Sequence, residues 1–417
     1  MKKTLLSLIF LAGAAAMVAS RRYSELPAIL DGSMSLYDFS VVEPSALPDT
    51  LTPVYIDYVA RHGARFLTSE NKLTACEKLL DKASERGSLT ETGKSFQKLL
   101  EAVRSHTNGA WGMLSPIGKA QELRLGHDMA VMYPEIFTAA GASVVSVASY
   151  VPRVVETMDQ FTIAIADVYD GIDTKAASGK AYDHLTRFFV TDEAYDRWRK
   201  EGDWHQVYDE FVERHVSIEP ALRLVGKGKG LTDKELRKLT YDMYKVLQGM
   251  RAASLPAPTT EWMSEEEYRG CWEATNLEKY FQYSVSPLSD QPARGAAFLL
   301  YRWLDTSVLL ENGSLAPGLS GVFGHAETLL PFFALLGIEQ TIAAPADYAH
   351  LSAEWSDAEL TPLAANIAVI YSRSLSGKLY ASMRLNGRNI SPLNDPERLT
   401  VPLSELRQFW LRRLLLF

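Results

Sequence analysis

The spacing of apolar positions along this chain predicts which segments are strands and which are helices. Over residues 53–60, β-favouring side chains alternate, so that Val54, Ile56 and Tyr58 share one face, as in a strand. Residues 143–149 are rich in β-branched side chains, which predicts a second core strand. Between these strands, apolar residues over 96–103 recur at intervals of three and four, the spacing of a helix.

The middle of the chain has a different pattern, which predicts a block of helices. Residues from about 160 to 290 are rich in Tyr, Trp and charge, and we see no strand alternation among them. Thr232-Asp233-Lys234-Glu235 is a capping box, and an apolar stripe follows it as far as Met250. This pattern is typical of a helical subdomain.

The α/β pattern returns after Pro292, and residues 365–371 and 378–385 predict a late hairpin. We therefore expect an α/β core formed by residues 21–160 and 290–417, with a helical cap over residues 161–289 inserted into it.

The N-terminus has the composition of a secretory signal peptide. Lys2-Lys3 is followed by an almost wholly apolar run, Leu5 to Val18, and then by small residues. The run is too short to span a bilayer comfortably, and no other stretch reaches that length. We expect residues 1–20 to be removed and the mature protein to be secreted or periplasmic, without a membrane span; a tethering anchor is the alternative.

Length and charge limit the classes of function. A chain of 417 residues with 47% hydrophobic and 23% charged residues can bury a large core. Its formal net charge is −8, and loss of Lys2 and Lys3 with the signal peptide makes it more negative. This balance argues against nucleic acids and anionic membranes as partners, but a local arginine cluster can still bind a small anionic substrate. We expect a monomer.

The two cysteines leave two interpretations open. Cys76 and Cys271 either pair in an oxidising compartment and close a long loop, or remain two buried thiols. The sequence does not give the distance that decides between them. Neither cysteine belongs to a CxxC motif or a metal-spaced cluster, so we expect no zinc site.

The most specific chemistry follows the first strand, at Arg61-His62-Gly63-Ala64-Arg65. Ligands of open α/β sheets bind beyond the carboxyl ends of strands, and guanidinium groups match phosphate oxygens. Between the two arginines, the imidazole of His62 has a nitrogen that can attack an electrophile. A surface turn paired with acids is the alternative. However, no acid lies within the motif, and three crowded cationic groups cost energy unless an anion binds.

Two later segments carry matching chemistry. Arg153 follows the predicted strand at 143–149, and His325 and Glu327 follow the apolar segment 318–324. Alone, Arg153 is typical of a surface arginine at a helix start, and Glu327 of an acid in a first helical turn. Phosphoryl transfer, however, needs a nucleophile, cationic clamps and an acid for the leaving oxygen. We expect His62 to be the nucleophile, Glu327 the proton donor, and the three arginines with His325 the clamp.

These motifs resemble those of the histidine phosphatase superfamily, in its acid-phosphatase and phytase branch. The Arg-His-Gly-x-Arg pattern is its signature, and its third phosphate-binding arginine lies where Arg153 does. Most acid phosphatases of the branch have His-Asp where this chain has His325-Ala326-Glu327, a variant similar to that of multiple inositol polyphosphate phosphatases. Arg187-Phe188-Phe189 is similar to an RFF stretch of that group, which implies a substrate-binding role for Arg187.

The resemblance implies a fold and an activity. The fold is α/β, with a mixed, mainly parallel central sheet, flanking helices and an inserted all-helical subdomain. The activity is hydrolysis of phosphomonoesters of phytate and lower inositol phosphates, without metal or cofactor. A broad-specificity acid phosphatase, a sugar-phosphate phosphatase or a mutase would keep the fold and change the substrate. A phosphate-ester binding protein would use His62 only as a contact.

Overall fold

A mixed sheet of eight strands forms the centre of the molecule. The computed structural model describes residues 23–227 and 230–417, so the predicted signal peptide lies outside the described residues. The strands are β1 (Leu51–Arg61), β2 (Ser143–Ala148), β3 (Asp173–Ser178), β4 (Gly318–Gly324), β5 (Asn366–Ser374), β6 (Leu379–Leu385), β7 (Arg388–Ile390) and β8 (Thr400–Pro402). Their order is β3-β2-β4-β1-β5-β6-β7, with β8 paired to β6.

The sheet has a parallel half and an antiparallel half. Strands β3, β2, β4 and β1 are parallel neighbours, whereas β5 runs antiparallel to β1 and pairs with β6 as the predicted hairpin. In register, Arg61 lies opposite Gly324, and Ala148 lies opposite Phe323. The carboxyl ends of β1, β4 and β2 therefore meet at one edge of the sheet, and the prediction of a mixed α/β fold is confirmed.

Helices surround this sheet. They are α1 (Asn71–Glu85), α2 (Glu91–Thr107), α3 (Pro116–Met132), α4 (Pro134–Phe137), α5 (Pro152–Val168), α6 (Asp183–Thr186), α7 (Phe188–Thr191), α8 (Glu193–Glu201), α9 (Trp204–His215), α10 (Glu219–Val225), α11 (Asp233–Leu247), α12 (Glu265–Tyr283), α13 (Gln291–Gly295), α14 (Ala297–Glu311), α15 (Ala326–Leu336), α16 (Leu351–Glu354), α17 (Asp357–Leu360) and α18 (Leu403–Leu416). The capping box predicted at Thr232 begins α11. Within the described part of the chain, no helix is both long and apolar enough to cross a membrane.

The alternation predicted for β1 separates two cores. Ile56 and Tyr58 belong to a buried cluster with Phe161 of α5. Tyr55 and Val59, which point to the opposite face, belong to a larger cluster shared with the helical region. Burial on both faces explains why β1 is apolar almost throughout.

The segment predicted to be wholly helical contains a strand. Strand β3, within residues 161–289, pairs in parallel with β2 at the sheet edge, and the boundary placed at residue 160 falls inside α5. The expectation that no strand interrupts this segment is therefore wrong. Five of the six residues of β3 are exposed. A strand at the edge of the sheet with so little burial does not require alternating apolar residues, the signal used to predict strands. The division into core and cap otherwise stays a prediction.

The cysteines are two separate thiols. Cys76 of α1 and Cys271 of α12 are both buried and free. Burial raises the pKa of each thiol above its ordinary value, which keeps both protonated and unreactive. The structure therefore supports the second interpretation left open by the sequence, that of two buried thiols.

Candidate active site

The backbone of two neighbouring strands fixes His62. His62 follows the last residue of β1, and its N–H donates to the carbonyl of Gly324 at 3.1 Å, while its own carbonyl accepts from the N–H of Ala364 at 3.0 Å. His325 follows β4, and the centres of the two imidazole rings lie 5.7 Å apart. The parallel pairing of β1 and β4 therefore brings together two histidines that are far apart in the sequence.

Close packing explains the glycine of the motif. A Cβ at Gly63 would lie 2.7 Å from the carbonyl oxygen of Gly118 in α3, a distance that real side chains do not reach. Ala64 is held against the same helix, since its N–H donates to the Gln121 side chain at 2.9 Å and its carbonyl accepts from the N–H of Ser115, also at 2.9 Å. The loop that carries His62 and Arg65 is therefore anchored on the start of α3.

The imidazole of His62 is held in one tautomer and in its neutral form. Its Nδ1 lies 3.0 Å from the carbonyl oxygen of Gly63. A carbonyl only accepts, so Nδ1 carries the proton and Nε2 keeps its lone pair. Burial, with the charges of Arg153 and Arg61, holds the pKa of His62 well below its ordinary value. The ring is therefore neutral at working pH, the form that can attack phosphorus.

Three arginines converge beside this imidazole. Arg61 ends β1, Arg65 ends the motif, and Arg153 lies at the start of α5 after β2. Burial lowers the pKa of Arg61 to about 10 and that of Arg65 to about 9, and the charge of Arg153 contributes to both shifts. The Nε–H of each arginine is buried without a hydrogen-bond partner among the described atoms. Clustered charge and unsatisfied donors together favour a bound oxyanion.

His325 caps the next helix. It lies before α15, its N–H donates to the Thr328 hydroxyl at 3.0 Å, and its Nε2 lies 3.2 Å from the Ser149 hydroxyl. Burial lowers the pKa of His325 to about 3, although Glu327 opposes that shift. Thr328 therefore holds the backbone of His325, and Ser149 lies beside its ring. The neutral ring can donate one N–H to an oxyanion without adding charge.

Glu327 lies in the first turn of α15, partly exposed to the site. Burial alone would raise the pKa of its carboxyl, but His325, its own backbone N–H and Arg61 lower it to about 2. The side chain is thus ionised at working pH. Because His325 and Arg61 both act on its pKa, Glu327 lies in the same site as the arginines, as the sequence led us to expect.

Arg187 lies on the rim of the same site. Its guanidinium donates to the Tyr150 hydroxyl and lies 4.7 Å from the centre of that ring. Its charge lowers the pKa of both Arg153 and His325, which places it near them. Two residues further along the chain, the ring centre of Phe189 lies 6.2 Å from that of His325. The structure therefore brings together all seven predicted site residues, whose roles stay predictions.

Sequence reasoning missed the residues that hold Arg61. One guanidinium nitrogen of Arg61 donates to the carbonyls of Ser33 and Thr361. The fully buried Asp357 accepts from the N–H of Ser33 at 2.9 Å and from Nζ of Lys279 at 2.6 Å, and Thr361 directly follows the short helix that Asp357 begins. Asp357 therefore fixes both acceptors, which orients the free Nε–H of Arg61. No motif could reveal a contact between segments so far apart in sequence.

We expect Asp357→Asn to weaken phosphate binding through Arg61. Small displacements of a group that positions the substrate, here the Arg61 guanidinium, cost up to about 100-fold in rate. We therefore expect kcat/KM to fall roughly 10-fold to 100-fold. The inhibition constant of inorganic phosphate should rise by a matching factor. Asp31→Asn is the control, because Asp31 is equally buried and pairs with Arg251. Both variants should unfold at a lower temperature. An equal loss of activity in the two would show that Asp357 acts only through stability.

Arginine side chains are the main positive charges at this site. The described residues contain no group of three or more His, Cys, Asp or Glu able to hold a metal ion. Arg61, Arg65 and Arg153 each have a buried Nε–H without a partner and act on His62 through their charge, and such donors can stabilise an oxyanion. Hydrolysis without metal or cofactor stays a prediction.

Solved structures of three enzymes share this fold at low sequence identity. The multiple inositol polyphosphate phosphatase of Bifidobacterium longum, in complex with inositol hexasulfate, gives a TM-score of 0.75 at 17% identity, over 91% of this chain and 96% of its own. The phytase of D. castellii gives 0.70 at 16% identity, over 93% and 85%. The phytase of Klebsiella sp ASR1 gives 0.53 at 14% identity, over 87% and 96%. At these sequence identities, the structural similarity shows that the chains share a fold.

Family membership rests on the sequence itself. No curated protein matches this chain, but residues 55–380 match the histidine phosphatase superfamily (branch 2). The match spans most of the chain and includes the strand ends that carry His62, Arg153 and His325. The resemblance seen in the motifs is thus confirmed, and the chain belongs to the histidine phosphatase superfamily, branch 2.

Proposed function

We propose that this protein hydrolyses phosphomonoesters of inositol polyphosphates, phytate included, through a phosphohistidine at His62. The observation that carries the proposal is the convergence of three buried guanidinium groups, each with an unsatisfied Nε–H, beside an unprotonated imidazole nitrogen. The substrate class comes from the structural neighbours, which are a multiple inositol polyphosphate phosphatase and phytases.

In the first step, Nε2 of His62 attacks phosphorus and the ester P–O bond breaks. Arg61, Arg65, Arg153 and the N–H of His325 stabilise the charge on the transferring group. The Glu327 carboxyl gives its proton to the leaving alkoxide. The products are a phosphohistidine, an alcohol and an ionised Glu327.

In the second step, water replaces the alcohol. The Glu327 carboxylate accepts a proton from the water, whose oxygen attacks phosphorus while the P–N bond breaks. Inorganic phosphate leaves, and the Nε2 lone pair of His62 is restored. Because Nδ1 keeps its proton throughout, donated to the Gly63 carbonyl, the ring needs no change of tautomer between turnovers.

The remaining assignments belong to the same proposal. Arg187, stacked on Tyr150 at the rim, would bind a phosphate of the substrate that is not transferred. Secretion or periplasmic location rests on the signal-peptide pattern of residues 1–20. A monomeric state is also part of the proposal.

We expect the purified mature protein to release phosphate stepwise from inositol hexakisphosphate. Separation of the products over time by ion-exchange chromatography should show a pentakisphosphate first, then lower inositol phosphates. An enzyme that hydrolyses sugar monophosphates but leaves the hexakisphosphate intact would instead be an acid or sugar-phosphate phosphatase of the same mechanism. Absence of all phosphatase activity would contradict the proposal as a whole.

A further inference from the structure

The orientation of the His325 imidazole depends on the side chains that pack around it. The torsion that turns a histidine ring has broad minima, so the backbone of His325 does not by itself direct the ring N–H toward a bound oxyanion. The Ser149 hydroxyl lies 3.2 Å from Nε2, and the ring of His62 lies edge-on at 5.7 Å. A third contact comes from Phe189 of α7, whose ring is nearly perpendicular to that of His325.

Phe189 belongs to a helical segment that packs against the turn of His325. The Thr328 hydroxyl of α15 donates to the carbonyl of Thr186 at 2.6 Å, and the Phe189 side chain is buried. Edge-on pairs of aromatic rings with centres between about 4.5 and 7 Å apart attract one another, and the separation of Phe189 and His325 is 6.2 Å. Phe189 therefore limits rotation of the His325 ring.

Arg199 of α8 contacts both the backbone and the ring of Phe189. Its Nη1 donates to the Phe189 carbonyl at 2.8 Å, and its guanidinium lies 5.2 Å from the centre of the Phe189 ring. Its Nη2 donates to the Tyr283 hydroxyl at 3.2 Å, and the guanidinium lies 5.4 Å from the centre of that ring. Both ring distances are within the range of cation–π attraction. Arg199 is therefore anchored on the end of α12 and in turn holds Phe189.

An ion pair does not account for the placement of Arg199. The nearest carboxylate partner, Asp196, lies 3.9 Å from its Nη1, whereas Lys200 lies 2.6 Å from the same carboxylate. The short contacts of the guanidinium are those with Phe189 and Tyr283. Its bonds thus converge on the aromatic side chains behind His325.

We infer that Arg199 is a positioning residue for the phosphatase reaction: it holds Phe189 against His325 and so keeps the His325 N–H directed at the transferring phosphoryl group. This inference rests on the proposed function, in which His325 donates to that group. Arg199 acts through Phe189 and does not itself touch the substrate. The helical region thereby orients a side chain that the end of β4 supplies.

The test measures hydrolysis of an aryl phosphate by Arg199→Met in two backgrounds. Methionine keeps an unbranched side chain and removes the hydrogen bonds and the charge. With His325 in place, we expect kcat/KM to fall about tenfold, since small displacements of a positioned group cost up to about 100-fold in rate. In His325→Ala, which lacks the positioned ring, adding Arg199→Met should cause no further loss. Phe189→Leu, which stays apolar but removes the aromatic edge, should reproduce the fall.

Two other arginines of the helical region provide matched controls. Arg237 donates to the carbonyls of Val216 and Glu213, so Arg237→Met removes an arginine that also bonds backbone carbonyls, but away from His325. Arg197 is exposed on α8, so Arg197→Met removes a charge two residues from Arg199. Neither control should change kcat/KM.

Three results would overturn the inference. The same loss from Arg199→Met in both backgrounds would mean a structural role that does not pass through His325. An equal loss in Arg197→Met would mean a general effect of charge. Wild-type rates in both Arg199→Met and Phe189→Leu would mean that the ring of His325 is oriented without them.

Binding of inorganic phosphate separates this inference from the proposed function, because it needs no turnover. Titration calorimetry should give a higher dissociation constant for Arg199→Met than for the wild type, and no such difference in the His325→Ala background. If the wild type hydrolyses no phosphomonoester, the proposed function fails, and these constants still decide the inference. If the wild type releases phosphate from inositol hexakisphosphate but Arg199→Met binds and hydrolyses as the wild type does, only the inference fails.

Discussion

His62→Ala should abolish turnover of every phosphomonoester while leaving the protein folded. The strand pairing of β1 with β4 and the Nδ1–H bond to Gly63 orient the lone pair of the neutral imidazole. An alanine removes the atom that bonds to phosphorus, and covalent catalysts lose orders of magnitude in rate without their nucleophile. The arginines would still bind phosphate, so inhibitor binding should survive.

Three measurements check this expectation. Steady-state rates on phytate and on an aryl phosphate should both fall by at least about 1,000-fold, and the melting temperature should stay close to that of the wild type. Rapid quenching in alkali, in which the P–N bond of a phosphohistidine is stable, should trap a phosphoenzyme from radiolabelled substrate in the wild type and none in the variant. His127→Ala is the control, because His127 is an exposed histidine on α3. Activity of His62→Ala within about tenfold of wild type would rule out the covalent route.

The reacting centre could be predicted because its residues directly follow strands. The alternation over 53–60 places His62 at the end of a strand, and the family pattern assigns Arg153 and His325 to two more. Since β2, β4 and β1 are parallel neighbours, their ends meet, and the three residues come together. This step needs only local patterns and the common geometry of parallel sheets.

The supporting contacts were not predictable in the same way. Asp357 acts on Arg61 through Ser33 and Thr361. The bonds of Ser33 with Asp357 and of Arg61 with Thr361 join residues 324 and 300 positions apart, so no periodicity or spacing records them. The edge strand β3 was missed for a different reason: its residues, Asp-Thr-Lys-Ala-Ala-Ser, are mostly exposed and lack the apolar alternation that marks a half-buried strand.

The ionisation of Glu327 determines how it can serve as an acid. With the site empty, Arg61 and His325 lower the pKa of its carboxyl to about 2, so at working pH it holds no proton. A bound phosphate group brings negative charge close to this carboxylate and offsets the positive charge of Arg61, which raises the pKa. Glu327 can then be protonated when the substrate is bound, the only state in which a donor is needed.

Glu327→Gln is expected to separate substrates by their leaving groups. A sugar alkoxide is a poor leaving group and needs a proton in the transition state, whereas an aryl oxide leaves readily without one. Glutamine keeps the size of the side chain and removes the acid, so hydrolysis of phytate should slow by roughly 100-fold or more, the usual range for loss of a general acid. Hydrolysis of an activated aryl phosphate should slow much less.

Measuring kcat/KM of Glu327→Gln for both substrates tests this role directly. Glu327→Asp is the matched control, because it keeps an acid on a shorter side chain. Glu327→Asp should recover part of the phytate rate, because a carboxyl one methylene shorter still begins from the first turn of α15. An equal fall for phytate and aryl phosphate in Glu327→Gln would mean that Glu327 is not the proton donor. In that case its loss has instead disturbed His325, whose pKa it raises, and with it the binding of the transferring phosphate.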